Sequence, residues 1–373
     1  MIKKNTFTDP YYTYQIFHKS NNFKKWNEEN TVSFKNYRKN WENRPAKQDP
    51  GEFPLNLNIE ITTKCNLACT FCYHRELTKE QKIHMNLDLF KKIIDEAKKY
   101  KLPAVNLNGL GEPITHPKLV EMIEYCRDSG IEDIMFHTNG TVMTEKLAKK
   151  LVRSGLTQII FSLDTTDKKI FEEMRVGANF EKVNGNVERF ISVRNSLKSK
   201  LPIVRTTMVL TDRTINQAEE FKKKWEKLSD SITAQDLVYS FEDEEEYEKN
   251  VDQETVSDSM KGLNWKSGEK SYYKVDRKKI IETEKNSKEF FRCAYLYQSM
   301  KIHPDGLIDP CTPRNAPTIG HVDDGIKNAW HNKKIQDMRK AHEEGKWYTI
   351  DECKKCDHPY IAIFKKNNKT VKI

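Results

Sequence analysis

The chain has 373 residues, enough for one large domain and a smaller one with ample core. Its 64 basic and 55 acidic residues leave a net charge of +9, but the two signs are interspersed, which suits a solvated Lys/Glu surface and argues against a stripe for nucleic acid. No apolar run approaches the ~20 residues that cross a bilayer, and MIKKNTFTDPYY lacks the apolar core of a signal peptide, so a cytoplasmic protein with no membrane partner is expected. There thiols stay reduced, and grouped cysteines mean metal or catalysis rather than disulfides.

Residues 1–50 are polar and rich in aromatics, with no alternating strand pattern, and predict an arm of short helices ended by Pro45 and the Pro50-Gly51 turn. From Leu55 the rhythm becomes regular. Leu55, Leu57, Ile59 and Ile61 alternate as in a strand. After Asn86, a helix cap, Leu87, Phe90, Ile93, Ile94 and Ala97 share a helical face. A strand over 104–108 leads to GLGEP; a helix aligning Leu119, Met122, Ile123 and Cys126 follows, then a strand over 134–137 and the turn Asn139-Gly140. A helix from Thr144 is capped by Gly155. Strands over 158–163, 203–210 and 232–239 alternate with helical stretches to Lys198 and around Ala218, Phe221, Trp225 and Leu228. Repeated strand–helix alternation predicts an α/β protein, a parallel sheet forming a partial or full barrel whose site lies at the C-terminal strand ends. Residues 241–290 break the rhythm with the charged run EDEEEYE and read as a linker. A compact region rich in Cys, Pro and Gly begins at Phe290. The resulting division is an arm (1–50), a core (51–240), the linker (241–290), a cysteine-bearing domain (291–362) and a tail (363–373).

Three of the eight cysteines, Cys65, Cys69 and Cys72, fall in CNLACTFC. Their spacing lets one loop present three soft thiolates to a zinc ion or an iron–sulfur cluster. Zinc normally takes four protein ligands, and no fourth cysteine lies nearby. Three thiolates on a four-iron cubane leave one iron open. Cys126 sits on an apolar helix face and reads as core. The two glycines of GLGEP, Gly109 and Gly111, let backbone approach a ligand, and Glu112 offers a carboxylate or a carbonyl to a positive group. FSLD puts Ser162 and Asp164 at a strand end, where small polar groups can bind ribose hydroxyls or a carboxylate; helix capping by Asp164 is the plainer alternative. Thr138, Asn139, Arg205 and Thr207 occupy equivalent strand ends.

CNLACTFC resembles the cluster loop of the radical S-adenosylmethionine (SAM) enzymes. The resemblance implies that SAM chelates the open iron and is cleaved to a 5′-deoxyadenosyl radical that abstracts hydrogen from substrate. It implies a partial (β/α) barrel of radical SAM type with a small C-terminal iron–sulfur domain. GLGEP is similar to the family's GGEP motif and FSLD to its fourth-strand contact, which implies SAM binding by Gly109, Gly111, Glu112, Ser162, Asp164 and Arg205; Met174, Arg175 and Gly177 look like the same family's sequel. Cys293, Cys311, Cys353 and Cys356, with HPDG, IGHV and Trp330, resemble the opening of the SPASM/twitch extension. The full SPASM pattern would place another cysteine where Ala362 stands, so the resemblance implies two 4Fe-4S clusters in all, one SAM-binding and one auxiliary on those four cysteines. A structural zinc ribbon is the competing reading of the second set. Single-auxiliary-cluster relatives that oxidise a carbinol on a sugar-like ring imply a carbohydrate- or cyclitol-like substrate, oxidised or epimerised, with flavodoxin or ferredoxin as electron donor. The alternatives are an enzyme that modifies a ribosomal peptide and, from another class, a zinc-containing nucleic-acid-binding protein.

Overall fold

The computed structural model describes residues 14–211, 213–236, 277–287, 290–313, 316–356, 358–360 and 362–363. Most of the expected linker, up to residue 276, and nearly all of the expected tail lie outside the described residues. Among the described residues ten strands form one open sheet: β1 (Tyr14–Lys19), β2 (Asn56–Ile59), β3 (Ala104–Asn106), β4 (Asp133–Thr138), β5 (Gln158–Ser162), β6 (Ile203–Leu210), β7 (Ser231–Asp236), β8 (Ser299–Ile302), β9 (Leu307–Asp309) and β10 (Gly320–His321). Strands β2 to β7 run parallel in chain order with helices between them, the strand–helix rhythm of the sequence. They form the partial barrel of an α/β fold.

The two-residue period of a strand divides its side chains between faces. Leu57, Ile59, Val105, Phe136, Ile159, Phe161 and Val204 pack outward into one core with helix residues such as Phe90, Ile94, Ile123 and Phe190, and Cys126 is buried there too. Each such aliphatic or aromatic side chain gains ~1.5–3 kcal/mol on burial. The opposite, inner face carries Asn56, Asn58, Asn106, Asp133, His137, Gln158, Arg205, Thr207 and Thr233, and none of them belongs to that core. So polar an inner face suits a binding chamber.

The arm departs from its sequence reading. It contributes a strand, β1, which pairs antiparallel with β7 and supplies an edge that no local pattern announces. Pro45 does not end the helix Val32–Lys47 but lies within its last turn. Proline cannot donate to the carbonyl four residues back, and that carbonyl, of Trp41, instead accepts Gln298 Nε2 at 2.6 Å. Phe34, Tyr37 and Trp41 of this helix pack on Leu55 and Ala104, at the N-terminal ends of β2 and β3, and so cover the end of the sheet away from the cysteine loop. The C-terminal region extends the same sheet: β8 runs parallel to β2, with Asn58 level with Lys301, and β9 and β10 continue it antiparallel. No helix among the described residues is long and apolar enough to cross a membrane.

Candidate active site

Beyond β2 the chain enters the loop that carries Cys65, Cys69 and Cys72, all half-buried. The sequence reading runs helix through to Lys198; the structure instead breaks it between the helices Lys168–Met174 and Phe180–Ser196. That break serves the site. Ala68 N–H donates to Val176 O at 3.0 Å and Thr70 N–H to Met174 O at 2.9 Å, so the cysteine loop is pinned by backbone on both sides of Arg175. The Arg175 side chain pairs with Asp164 at 2.6 Å, both being buried, and its guanidinium lies 5.7 Å from the centre of the Phe71 ring. Burial pushes all three thiols up, Cys69 to about 12, while the Arg175 charge pulls them the other way. Buried thiols need a cation or a soft metal to become thiolates. Three such donors beside a fixed guanidinium fit an iron–sulfur cluster.

GLGEP packs directly on this loop. A Cβ on Gly111 would stand 2.3 Å from Thr62 O, and one on Gly109 would stand 2.2 Å from Glu60 Oε1, so both positions require glycine for contacts within the protein. Glu112 N–H donates to Lys64 O at 2.8 Å, one residue before Cys65. Its carboxylate accepts from Thr138 Oγ1 (2.8 Å), Asn139 N (2.7 Å) and Ile114 N (3.1 Å). Burial raises its pKa and these bonds oppose the rise. Asn139 Nδ2 in turn donates to Asn66 Oδ1 at 3.0 Å, and Asn66 Nδ2 to Thr141 Oγ1 at 2.6 Å, tying the TNG turn to the cysteine loop.

The structure thus brings Gly109, Gly111, Glu112 and Asp164 around the three cysteines. Asp164 does not cap a helix, a role that Asp167 takes; its Oδ1 accepts Val209 N–H at 3.1 Å and its Oδ2 faces Arg175. Ser162 is half-buried at the end of β5, level with Thr207. Arg205 lies one pleat deeper, level with Ile160, and donates to Gln158 Oε1 at 3.3 Å.

The other four cysteines, spread over 293–356 in sequence, line one cavity with apolar neighbours that include Leu296 and Met338. Burial pushes Cys293 to about 11 and raises Cys311 and Cys353 well above the ordinary thiol value. Four thiols in so apolar a space fit a fully ligated cluster.

Sequence spacing alone missed a charged bridge between the segments that lead into the two sets. Glu60, buried just after β2, accepts Leu110 N–H at 2.5 Å and faces Lys301 Nζ at 3.4 Å and His303 Nδ1 at 3.3 Å. His303 Nε2 meets Asp309 Oδ2 at 2.5 Å, two residues before Cys311. The only local signal was HPDG. Burial alone would lower the His303 pKa, but the bonds to Asp309 and Glu60 outweigh burial and the Lys301 charge and carry it to about 9. Because the folded value is raised, the bridge contributes fully below the ordinary value of 6.5 and is lost as pH rises through about 9. We expect the anaerobic denaturation midpoint of the holoprotein to fall as pH rises from 6.5 through about 9, and the fall to flatten in His303→Gln. An unchanged slope in that variant would remove the bridge from the account.

Comparison with known proteins agrees with these two sets. The model of the Radical SAM superfamily matches residues 59–224, and that of the SPASM iron–sulfur cluster-binding domain matches residues 293–357. A probable GTP 3′,8-cyclase from Methanococcus maripaludis (strain C7) is 33% identical over 159 residues, 43% of this chain and 51% of that protein. The chain therefore spans about half the length of the curated relatives it matches. Among solved structures, native anSMEcpe with bound AdoMet superposes with a TM-score of 0.52 at 16% identity, covering 84% of this chain and 95% of that one. SuiB from Streptococcus suis bound to S-adenosylmethionine gives 0.51 at 16%, covering 88% and 76%. Both likenesses concern the fold. The four C-terminal cysteines accordingly lie within the stretch that matches an iron–sulfur cluster-binding domain. The chain belongs to the radical SAM superfamily, carries a C-terminal SPASM domain, and uses SAM with two 4Fe-4S clusters.

Proposed function

We propose that this protein abstracts hydrogen from a carbohydrate- or cyclitol-like small molecule and oxidises it. When bound, the first cluster with SAM supplies a 5′-deoxyadenosyl radical. Cys65, Cys69 and Cys72 hold that cluster, Gly109, Gly111 and Glu112 shape the SAM side of the loop, and Asp164 acts through Arg175. Ser162 and Arg205 face the space above and within the sheet. Cys293, Cys311, Cys353 and Cys356 hold the auxiliary cluster, which suits the removal of a second electron. The domain division given above, a cytoplasmic location and a small electron carrier such as flavodoxin or ferredoxin complete the reading.

One observation carries the substrate class. Among the buried polar atoms of the inner face, Asn56 Oδ1, Asn106 Oδ1, Asp133 Oδ2, Arg205 Nε, Thr207 Oγ1, Ser231 Oγ and Thr233 Oγ1 have no hydrogen-bond partner among the described residues. Buried polar atoms require partners, and a hydroxyl-rich ring supplies both donors and acceptors. His137, pushed down to about 4 by burial and then by Arg205, adds a neutral acceptor to that face. The peptide reading has less support, because β1 of the chain itself occupies the β7 edge to which a peptide strand would add.

Cys311→Ala tests the oxidation. Given reductant and candidate cyclitols or aminosugars, with GTP as the competing substrate, the variant should cleave SAM to 5′-deoxyadenosine yet form no oxidised product. Circular dichroism and iron at the first site establish beforehand that it folds, since a cluster can hold a small domain together. Normal turnover by this variant would replace oxidation with a redox-neutral epimerisation.

A further inference from the structure

The auxiliary cavity contains a histidine that ligation by four cysteines leaves unused. His342 lies in the last turn of the helix Lys333–Glu343 and is 1% exposed. Cys293 N–H donates to its Nδ1 at 3.3 Å, so Nδ1 carries no proton and the ring hydrogen is on Nε2. Nε2 in turn stands 3.5 Å from Cys353 Sγ, within reach of an N–H···S bond. Phe291 holds the ring edge-on, with centroids 5.9 Å apart, and Phe291 N–H is itself fixed at 2.7 Å by the buried carboxylate of Glu284. A single imidazole thus joins the backbone of one cysteine of the set to the sulfur of another, sixty positions along the chain.

We propose that His342 donates its Nε2–H to the Cys353 sulfur and thereby raises the reduction potential of the auxiliary cluster. A donor to a ligating thiolate draws charge from the metal and favours the reduced, more negative state. The imidazole is a positioning residue, since it touches a ligand and not the substrate. The inference rests on ligation by Cys353 and holds for any substrate. It goes beyond ligation by assigning the cluster's poise to a residue outside the cysteine pattern.

The test is an EPR-monitored redox titration of the full-length holoprotein, following both clusters. His342→Leu removes the donor at similar volume, and His342→Gln keeps an N–H. The auxiliary potential should shift negative in the Leu variant and stay near the wild-type value in the Gln variant, while the first cluster is unchanged in both. No shift in a Leu variant with full iron content overturns the proposal, and so do equal shifts in both variants, which would mean packing alone. Should the Leu variant fail to take up iron, the wild type still decides. Selective ¹⁵N-histidine labelling should produce a nitrogen coupling at the reduced auxiliary cluster that His342→Gln abolishes; a wild-type protein without that coupling overturns the assignment.

Discussion

Changing Cys65, Cys69 and Cys72 together to alanine should lower the iron content after reconstitution from about eight to about four atoms per chain and abolish reductive cleavage of SAM. The two cysteine sets are held by different parts of the chain. The first sits on one loop after β2, pinned by Val176 and Met174 carbonyls; the second lines a cavity built from residues 291 onward. Alanine leaves the backbone bonds of Ala68 and Thr70 in place, and the three cysteine side chains are outside the main buried core, so the fold should survive. Iron and sulfide analysis with assay of 5′-deoxyadenosine reads both effects. Loss of all the iron would mean that the clusters do not assemble independently, with the Glu60–His303–Asp309 bridge as the connection to examine. Four irons with stoichiometric zinc would return the second set to a zinc site.

Much of the fold was legible because the signals are local. The alternation of Leu57 and Ile59, the cap at Asn86, which accepts Asp88 N–H, and the cap at Thr144, which accepts Leu147 N–H, each involve residues close in sequence. The parts that escaped depend on distant partners. β1 is a strand because β7 offers it an edge some 215 residues later, and β8 joins the sheet across a gap of more than 240 residues from β2. The helix break at 175–179 carries no proline; Gly177 at φ 98° and the cap Asn179 mark it locally, but that it leaves the carbonyls of Met174 and Val176 to the cysteine loop shows only in space. The site shows the same division. Motif spacing found the seven cysteines of the two sets, but no spacing reveals that Glu60 meets Lys301 and His303, or that His342 reaches Cys293 and Cys353. Nor does spacing say whether a glycine in GLGEP is small for a cofactor or for the protein's own Thr62 carbonyl.

Asp164 is where structure most changes the expectation drawn from sequence. As a direct SAM ligand, its loss would weaken SAM binding and leave iron intact. In the structure its carboxylate is 0% exposed and shared between Arg175 and Val209 N–H, so removing the charge leaves a buried guanidinium unpaired. Breaking one side of a buried pair costs about 3–5 kcal/mol. Alanine is a poor probe here, because Asp164 has φ of 61°, a left-handed conformation that asparagine tolerates and alanine does not. Asp164→Asn therefore isolates the charge. It should lose iron at the first site, with SAM affinity falling in step, because Arg175 anchors the segment whose carbonyls pin the loop. The double variant Asp164→Asn, Arg175→Met removes both charges and should recover most of the denaturation midpoint, since a neutral filling of a buried pair is often tolerated. It should not recover the cluster, because the guanidinium that draws the three thiols towards thiolate is gone. Full iron with weakened SAM binding in Asp164→Asn would restore Asp164 to direct contact with the cofactor. Full iron in the double variant would show that Arg175 supports the loop by packing and not by charge.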